Sequence, residues 1–164
     1  MAETKNVTVS IIKDSGDRTE FATGAVRDMR EGKGRCDLMP LKVLARWLSD
    51  DILDCIANYQ ETNNTVCLYG ALNYFVHTAF NTDLGDPKCT TVLEVAKHFE
   101  EGAKKYGENN WQKGIPPKCY IDSAVRHYIK WLRGDKDEPH DRAFVWNLMC
   151  CIWEVDYHKE EPDG

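Results

Sequence analysis

An all-α fold, a helical bundle of about five helices behind an extended Gly/Arg-rich N-terminal arm, is what the sequence predicts. Three observations carry that expectation. Apolar residues recur at helical spacing in successive stretches after Leu41, the only strand-like piece is Val7 to Ile12, and glycines or prolines fall between the stretches. The arm, residues 1–40, is punctuated by Gly16, Gly24, Gly32, Gly34 and Pro40 and belongs to the same unit as the helical domain, residues 41–158. A charged tail, 159–164, follows.

The first helix starts behind Pro40, with Leu41, Leu44, Ala45, Leu48, Ile52, Cys55, Ile56 and Tyr59 on one face and Lys42, Arg46 and Asp50 on the other. The second runs from about Val66 to Phe80, bounded by polar 61–65 and by 81–87. A third begins near Thr90, where Thr91 and Glu94 have the spacing of a capping box, and ends at Tyr106-Gly107. Ile121, Val125, Tyr128 and Leu132 mark a fourth helix from about Tyr120, closed by Gly134. The fifth opens with the acidic turn Asp137 to Asp141, which suits the positive end of a helix dipole, and reaches about Tyr157.

The chain of 164 residues is the size of one domain, and 42% apolar with 29% charged residues is an ordinary globular composition. A net charge of −6 argues against a nucleic-acid polymer as partner, because phosphate backbones require clustered Lys and Arg. No apolar run approaches the ~18 residues of a membrane span, and the first residues do not read as a signal peptide. A soluble, cytoplasmic protein with no membrane partner is expected. Seven cysteines with no CxxC pair favour reduced, mostly buried thiols over a disulfide framework or zinc knuckle.

Polar residues concentrate in the last seventy positions. His140, Asn147 and Glu154 are seven apart and share a face with Ala143 and Cys150, a stripe that suits a pocket lining and equally suits a core His and Asn with Glu154 at the rim. Carboxylates gather as Glu100 and Glu101, as Asp122, and as Asp135, Asp137, Glu138 and Asp141; crowded carboxylates call for cations, and Mg²⁺ takes oxygen ligands. The run Lys104-Lys105-Tyr106-Gly107 with Asn109, Asn110 and Trp111 offers charge for phosphate and faces for a base. Arg27, Arg30, Lys33 and Arg35 form a basic strip among glycines whose spacing is not that of a P-loop.

Two stretches together, FATGAVRDMREGKGRCDLMP (21–40) and HFEEGAKKYGENNWQKGIPPKCYIDSAVRHYIKWLRGDKDEPHDRAFVWNLMCCIWE (98–154), resemble the phage dATP/dGTP diphosphohydrolase family, which is grouped with the MazG-like all-α nucleoside triphosphate pyrophosphohydrolases. The strings GAKKYG, NW, DSAVRH and DEPH, in that order, carry the resemblance. It implies cleavage of a purine deoxynucleoside triphosphate (dGTP, dATP or both) between its α and β phosphates, in the host cytoplasm, with Mg²⁺ or Mn²⁺, by a homo-oligomer. Position by position it implies Glu100, Glu101, Asp122, Glu138 and His140 as metal ligands, with Glu101, Asp122, Glu138 and His140 catalytic. Lys105, Tyr106, Asn110, Trp111, Arg126 and His127 would bind substrate, joined by Arg35 of the basic strip. The chain departs from the MazG-like pattern of EExxE followed by ExxD, reading FVWN at 144–147, and residues 50–88 read as an insertion relative to shorter members.

The expected chemistry is electrostatic: metal ions bridge the phosphates and lower the pKa of a bound water, while a Glu or His orients it. Two alternatives stand beside it. An HD-type phosphohydrolase would use the His140-Asp141 doublet with His98 or His127 and Asp156, and a non-catalytic nucleotide- or protein-binding helical protein would use the same pocket without turnover.

Overall fold

Aspartate side chains cap the starts of two helices in this chain, and the computed structural model, which describes residues 16–80, 83 and 85–158, shows six helices and one short hairpin. Strands β1 (Arg18–Glu20) and β2 (Val26–Asp28) pair antiparallel with Arg18 opposite Asp28 and Glu20 opposite Val26. A 3-10 turn at Cys36–Leu38 leads to α1 (Leu41–Leu48), α2 (Asp51–Thr62), α3 (Val66–Ala79), α4 (Pro87–Tyr106), α5 (Pro117–Arg133) and α6 (His140–Asp156), with a second 3-10 turn at Asn110–Gln112. The expected all-α class holds. The strand-like piece Val7 to Ile12 lies outside the described residues, and the arm that follows contributes the hairpin.

The helix expected from Leu41 to Tyr59 is two helices. Ser49 adopts the left-handed conformation (φ 52°), ending α1, and Asp50 begins α2 by accepting a hydrogen bond from the Leu53 amide at 2.8 Å. The apolar periodicity continues through the break, so spacing alone could not show it. The third expected helix also starts earlier, at Pro87, where Asp86 accepts from the Lys88 amide; Thr91 is buried inside the helix and donates to the Pro87 carbonyl instead of forming a capping box. α5 begins with Pro117 in its first turn and ends at Gly134, whose φ of 87° suits glycine.

α5 and α6, joined by the short loop 134–139, make the most extensive helix pair, and α2 with α3 forms a second pair on the same core. Phe75 of α3 joins the two. Its ring meets Tyr128 and Trp131 of α5 at 5.9 and 4.9 Å and Phe144 of α6 at 4.5 Å, all edge-on, the arrangement aromatic quadrupoles favour. Among the described residues no helix is long and apolar enough to cross a membrane.

Asp50 links these pairs, since its second carboxylate oxygen accepts from the Tyr128 hydroxyl of α5. Asp50→Ala is therefore expected to cost about 1–3 kcal/mol through loss of cap and cross-link together. Tyr128→Phe, which keeps the cap, should cost about 1 kcal/mol. Urea unfolding of the two variants checks the order.

Candidate functional site

The segment from Val26 to Lys33, the second half of α4 with the turn after it, and the facing sides of α5 and α6 enclose a cavity of about 740 Å³, within the range of small-molecule sites. The arm is held there by side chains from the helical body. Asn110 uses its amide as an added strand: Oδ1 accepts from the Val26 N–H and Nδ2 donates to the Val26 carbonyl, both at 2.8 Å. Lys105 bridges to Asp28 at 2.7 Å, and Arg18 reaches the same carboxylate at 3.0 Å. Further along, fully buried Asp122 accepts from the Cys36 amide and from Arg126, each at 2.7 Å, and Arg126 also donates to the Lys33 and Gly34 carbonyls.

Against a whole-chain charge of −6, five cations line this cavity: Arg27, Arg30, Lys33, Arg126 and Lys130. Phe99, Trp111 and Trp146 supply aromatic surface. Trp111 is fixed edge-on between Phe99 and Trp153, at 5.5 and 4.9 Å. Tyr106 lines the cavity under the Arg18 guanidinium, and burial together with its bond to Asp28 raises its phenol pKa.

Where α5 meets the start of α6, His127, Glu138 and His140 each bring a potential ligand atom within 4.8 Å of the others. His127 Nδ1 and His140 Nδ1 are 2.9 Å apart. On its other side His140 Nε2 is 2.8 Å from Asp137, and because a carboxylate only accepts, Nε2 carries the proton, leaving Nδ1 to face His127 and Glu138. The bond from His140 holds the Asp137 carboxyl down at about 2, aided by Lys130 at 3.6 Å. Burial, and then neighbouring His140, push the His127 pKa well below its ordinary value, so its imidazole is neutral, the form that ligates metal. Asp135, Asp137 and His140 make a second such group around the shared histidine.

The residues expected to hold metal are thus distributed. Glu138 and His140 converge, and His127, expected to bind substrate, joins them. Glu100 lies on the cavity wall but is exposed beside Lys104, 3.5 Å away. Glu101 faces Arg142 at 2.6 Å and Asp122 is engaged by the arm; neither lines the cavity. Of the expected substrate residues, Tyr106, Asn110, Trp111, Arg126 and His127 line it, whereas Lys105 is turned to Asp28 and exposed Arg35 pairs with Asp37. Spacing had singled out Asn147, which lines the cavity, and Glu154, which instead bonds His158 at 2.6 Å. Of the HD-type alternative, His127 and His140 meet, but its carboxylates are engaged elsewhere: Asp156 accepts from Thr65 and Asp141 from the Arg142 amide. Lys130 and Trp146 carried no signal of their own, each being one more residue in an amphipathic helix.

An all-α protein with a cation-lined cavity beside a His–Glu–His cluster is the class these features define. The family model for dATP/dGTP diphosphohydrolase, N-terminal, matches residues 82–163, half of the chain, and includes α4 to α6 with the whole cluster. The chain belongs to that family. Comparison with curated proteins and with solved structures finds no match.

His98, on the cavity wall and 8% exposed, gives a pH test of this packing. Burial, then the charges of Arg142 and Arg27, lower its pKa to about 3 from 6.5. The unfolded chain binds a proton here that the folded chain does not, so this stability is present above about pH 6.5 and is lost as pH falls toward about 3. The urea midpoint should drop between pH 7 and pH 5, and His98→Phe should make that drop shallower.

Proposed function

We propose that this chain hydrolyses a purine deoxynucleoside triphosphate, dGTP or dATP, to the monophosphate and pyrophosphate, with a divalent metal held by His127, Glu138 and His140. The observation that carries the reading is the opening of this mixed imidazole–carboxylate cluster onto a cavity lined by five cations in an acidic protein. Family membership supports the diphosphohydrolase class.

The donor set fits a transition metal. Two imidazole nitrogens 2.9 Å apart can occupy neighbouring positions on one ion, since metal–nitrogen bonds are about 2.0–2.1 Å. Asp137 behind His140 supplies the outer carboxylate that fixes a ligating histidine's tautomer. Mg²⁺ prefers oxygen donors, so of the two expected ions the set favours Mn²⁺. When bound, the ion would polarise a phosphoryl oxygen and make a bound water acidic.

The remaining work falls to the chain. Lys33, Arg126 and Lys130 neutralise phosphate oxygens; Arg126 is oriented for this by buried Asp122, which makes Asp122 a positioning residue. Glu100, on the same wall, is placed to order water at the cavity mouth. Phe99, Trp111 and Trp146 offer the base apolar faces. Action on free cytoplasmic nucleotides by a homo-oligomer remains part of the proposal, and exposed Trp47 and Leu93 are surfaces an assembly could cover.

Incubation with each dNTP and Mn²⁺ or Mg²⁺, followed by ion-exchange analysis of products, is the test. Deoxynucleoside monophosphate with pyrophosphate is expected, and chelation should abolish turnover. Tripolyphosphate would replace this reading with the HD-type one, and saturable binding without product would replace it with a binding protein. His127→Ala, Glu138→Gln and His140→Ala should each lower kcat/KM at least ~100-fold, the size expected for loss of a charge-stabilising group.

A further inference from the structure

Arg27 and Trp146 bring two unpartnered buried donors to one part of the cavity. Arg27 of β2 donates through Nη2 to Ser123 Oγ at 2.9 Å and to Asn147 Oδ1 at 3.0 Å, while its Nη1 is buried without a partner. Trp146 Nε1 is likewise buried and unpartnered, and both side chains line the cavity. A buried donor lacking an acceptor is costly and rare. Beside them, Asn147 accepts from Arg27 at Oδ1 and donates Nδ2 to the Ala143 carbonyl. Among the described residues no carboxylate pairs with Arg27; its guanidinium lies over the rings of Tyr120 and Trp146, 5.0 and 6.0 Å from their centroids.

This wall stands apart from the metal-type cluster. Ser123 precedes His127 by one turn of α5, about 6 Å, and Asn147 follows His140 by two turns of α6, about 10 Å, in the same direction along the antiparallel pair. Of the other four cavity cations, Lys130 pairs with Asp137 and Lys33 feels the charge of Glu138, beside the cluster, while Arg126 and Arg30 turn to Asp122. Around Arg27 the surface is instead aromatic, Phe99 and Trp146 together with Tyr120, which suits a flat heterocycle better than a phosphate.

Arg and Trp side chains only donate, so whatever sits against them must accept. A 6-oxopurine presents two adjacent acceptors, N7 and O6, whereas adenine presents N7 beside an amino donor. We propose that Arg27 and Trp146 read the N7/O6 edge of the base, so that guanine nucleotides are held in preference to adenine nucleotides; this rests on the reading of the cavity as a purine nucleotide site. An adenine amino group turned to this wall sets donor against donor.

Equilibrium binding to the full-length chain with Mn²⁺ decides it, using dGMP, dIMP, dAMP and 7-deaza-dGMP by calorimetry. dIMP keeps N7 and O6 and lacks only the 2-amino group, so it should bind within about threefold of dGMP. dAMP and 7-deaza-dGMP should each bind about tenfold or more weakly, the loss expected when buried donors go unmet. Trp146→Phe keeps a ring and removes the donor, and should weaken dGMP while leaving dAMP nearly unchanged; Arg27→Lys should narrow the dGMP to dAMP ratio. Equal affinity for dGMP and dAMP overturns the proposal, as does dIMP binding as weakly as dAMP. A uniform loss for dGMP, dAMP and inorganic pyrophosphate in Arg27→Lys also overturns it, because it assigns Arg27 to phosphate. Selective dGMP binding without turnover of any triphosphate would sink the hydrolase reading while sustaining this one, and turnover with no base preference in binding would do the reverse.

Discussion

Burying a carboxylate without partners is among the most costly acts in a protein interior, and Asp122 meets that cost with groups from the N-terminal arm. It sits within α5, inaccessible to solvent, and accepts from the Cys36 amide as well as from Arg126 one turn along its own helix. Arg126 in turn takes the carbonyls of Lys33 and Gly34. The arm and α5 thus complete each other's hydrogen bonds, and the cavity exists because the arm is held at a fixed distance from the helices. Asn110 and Lys105 repeat the device at the hairpin, through Val26 and Asp28.

Charge inside the enclosure runs opposite to charge on the surface. An acidic protein repels a polyanion at long range, but screening over about 8–10 Å of salt solution confines that repulsion. Within the cavity, fixed cations face a region partly shielded from water, where each interaction with phosphate is stronger than outside. Among the described residues, His127 and Glu138 on this wall, with His140 behind them, gather potential ligand atoms for a cation beside the lysines. The metal–phosphate pair of the proposed reaction would satisfy both at once.

Much of this was legible in the chain. Apolar periodicity located every helical stretch, though it merged α1 with α2, and Gly134 and the prolines placed several ends. The break at Ser49 was not legible because Leu48 and Ile52 keep the same face on either side of it, and only a left-handed residue followed by an Asp cap records the turn. At the site, the acidic residues were visible as a group, but spacing along helices does not say which carboxylate will meet an arginine from another element. Glu101 meets Arg142 in this way, and Asp122 meets backbone amides eighty-six positions away in sequence. His127 was recognisable as a motif residue, yet its role depends on how the loop 134–139 folds Glu138 and His140 back onto α5.

The division of labour along the chain follows from the same geometry. The residues matched by the family model, 82–163, carry the His–Glu–His cluster, Asn147, Trp146 and the aromatic walls. Arg27, Arg30 and Lys33 lie outside that match, on the arm. His127 and His140 are therefore set on α5 and α6, whose packing fixes their spacing, with Glu138 on the loop between them, while Arg27 rides on a hairpin secured by a few hydrogen bonds. Changes in the arm can alter what the cavity accepts without moving His127 against His140, because the latches at Asn110, Lys105 and Asp122 are side chains that address its backbone or a single carboxylate and leave Arg27 free to differ. The His–Glu–His cluster thus depends on the packing of α5 and α6, whereas the rest of the cavity wall is shared between that packing, through Trp146 and Asn147, and a short strand laid across it.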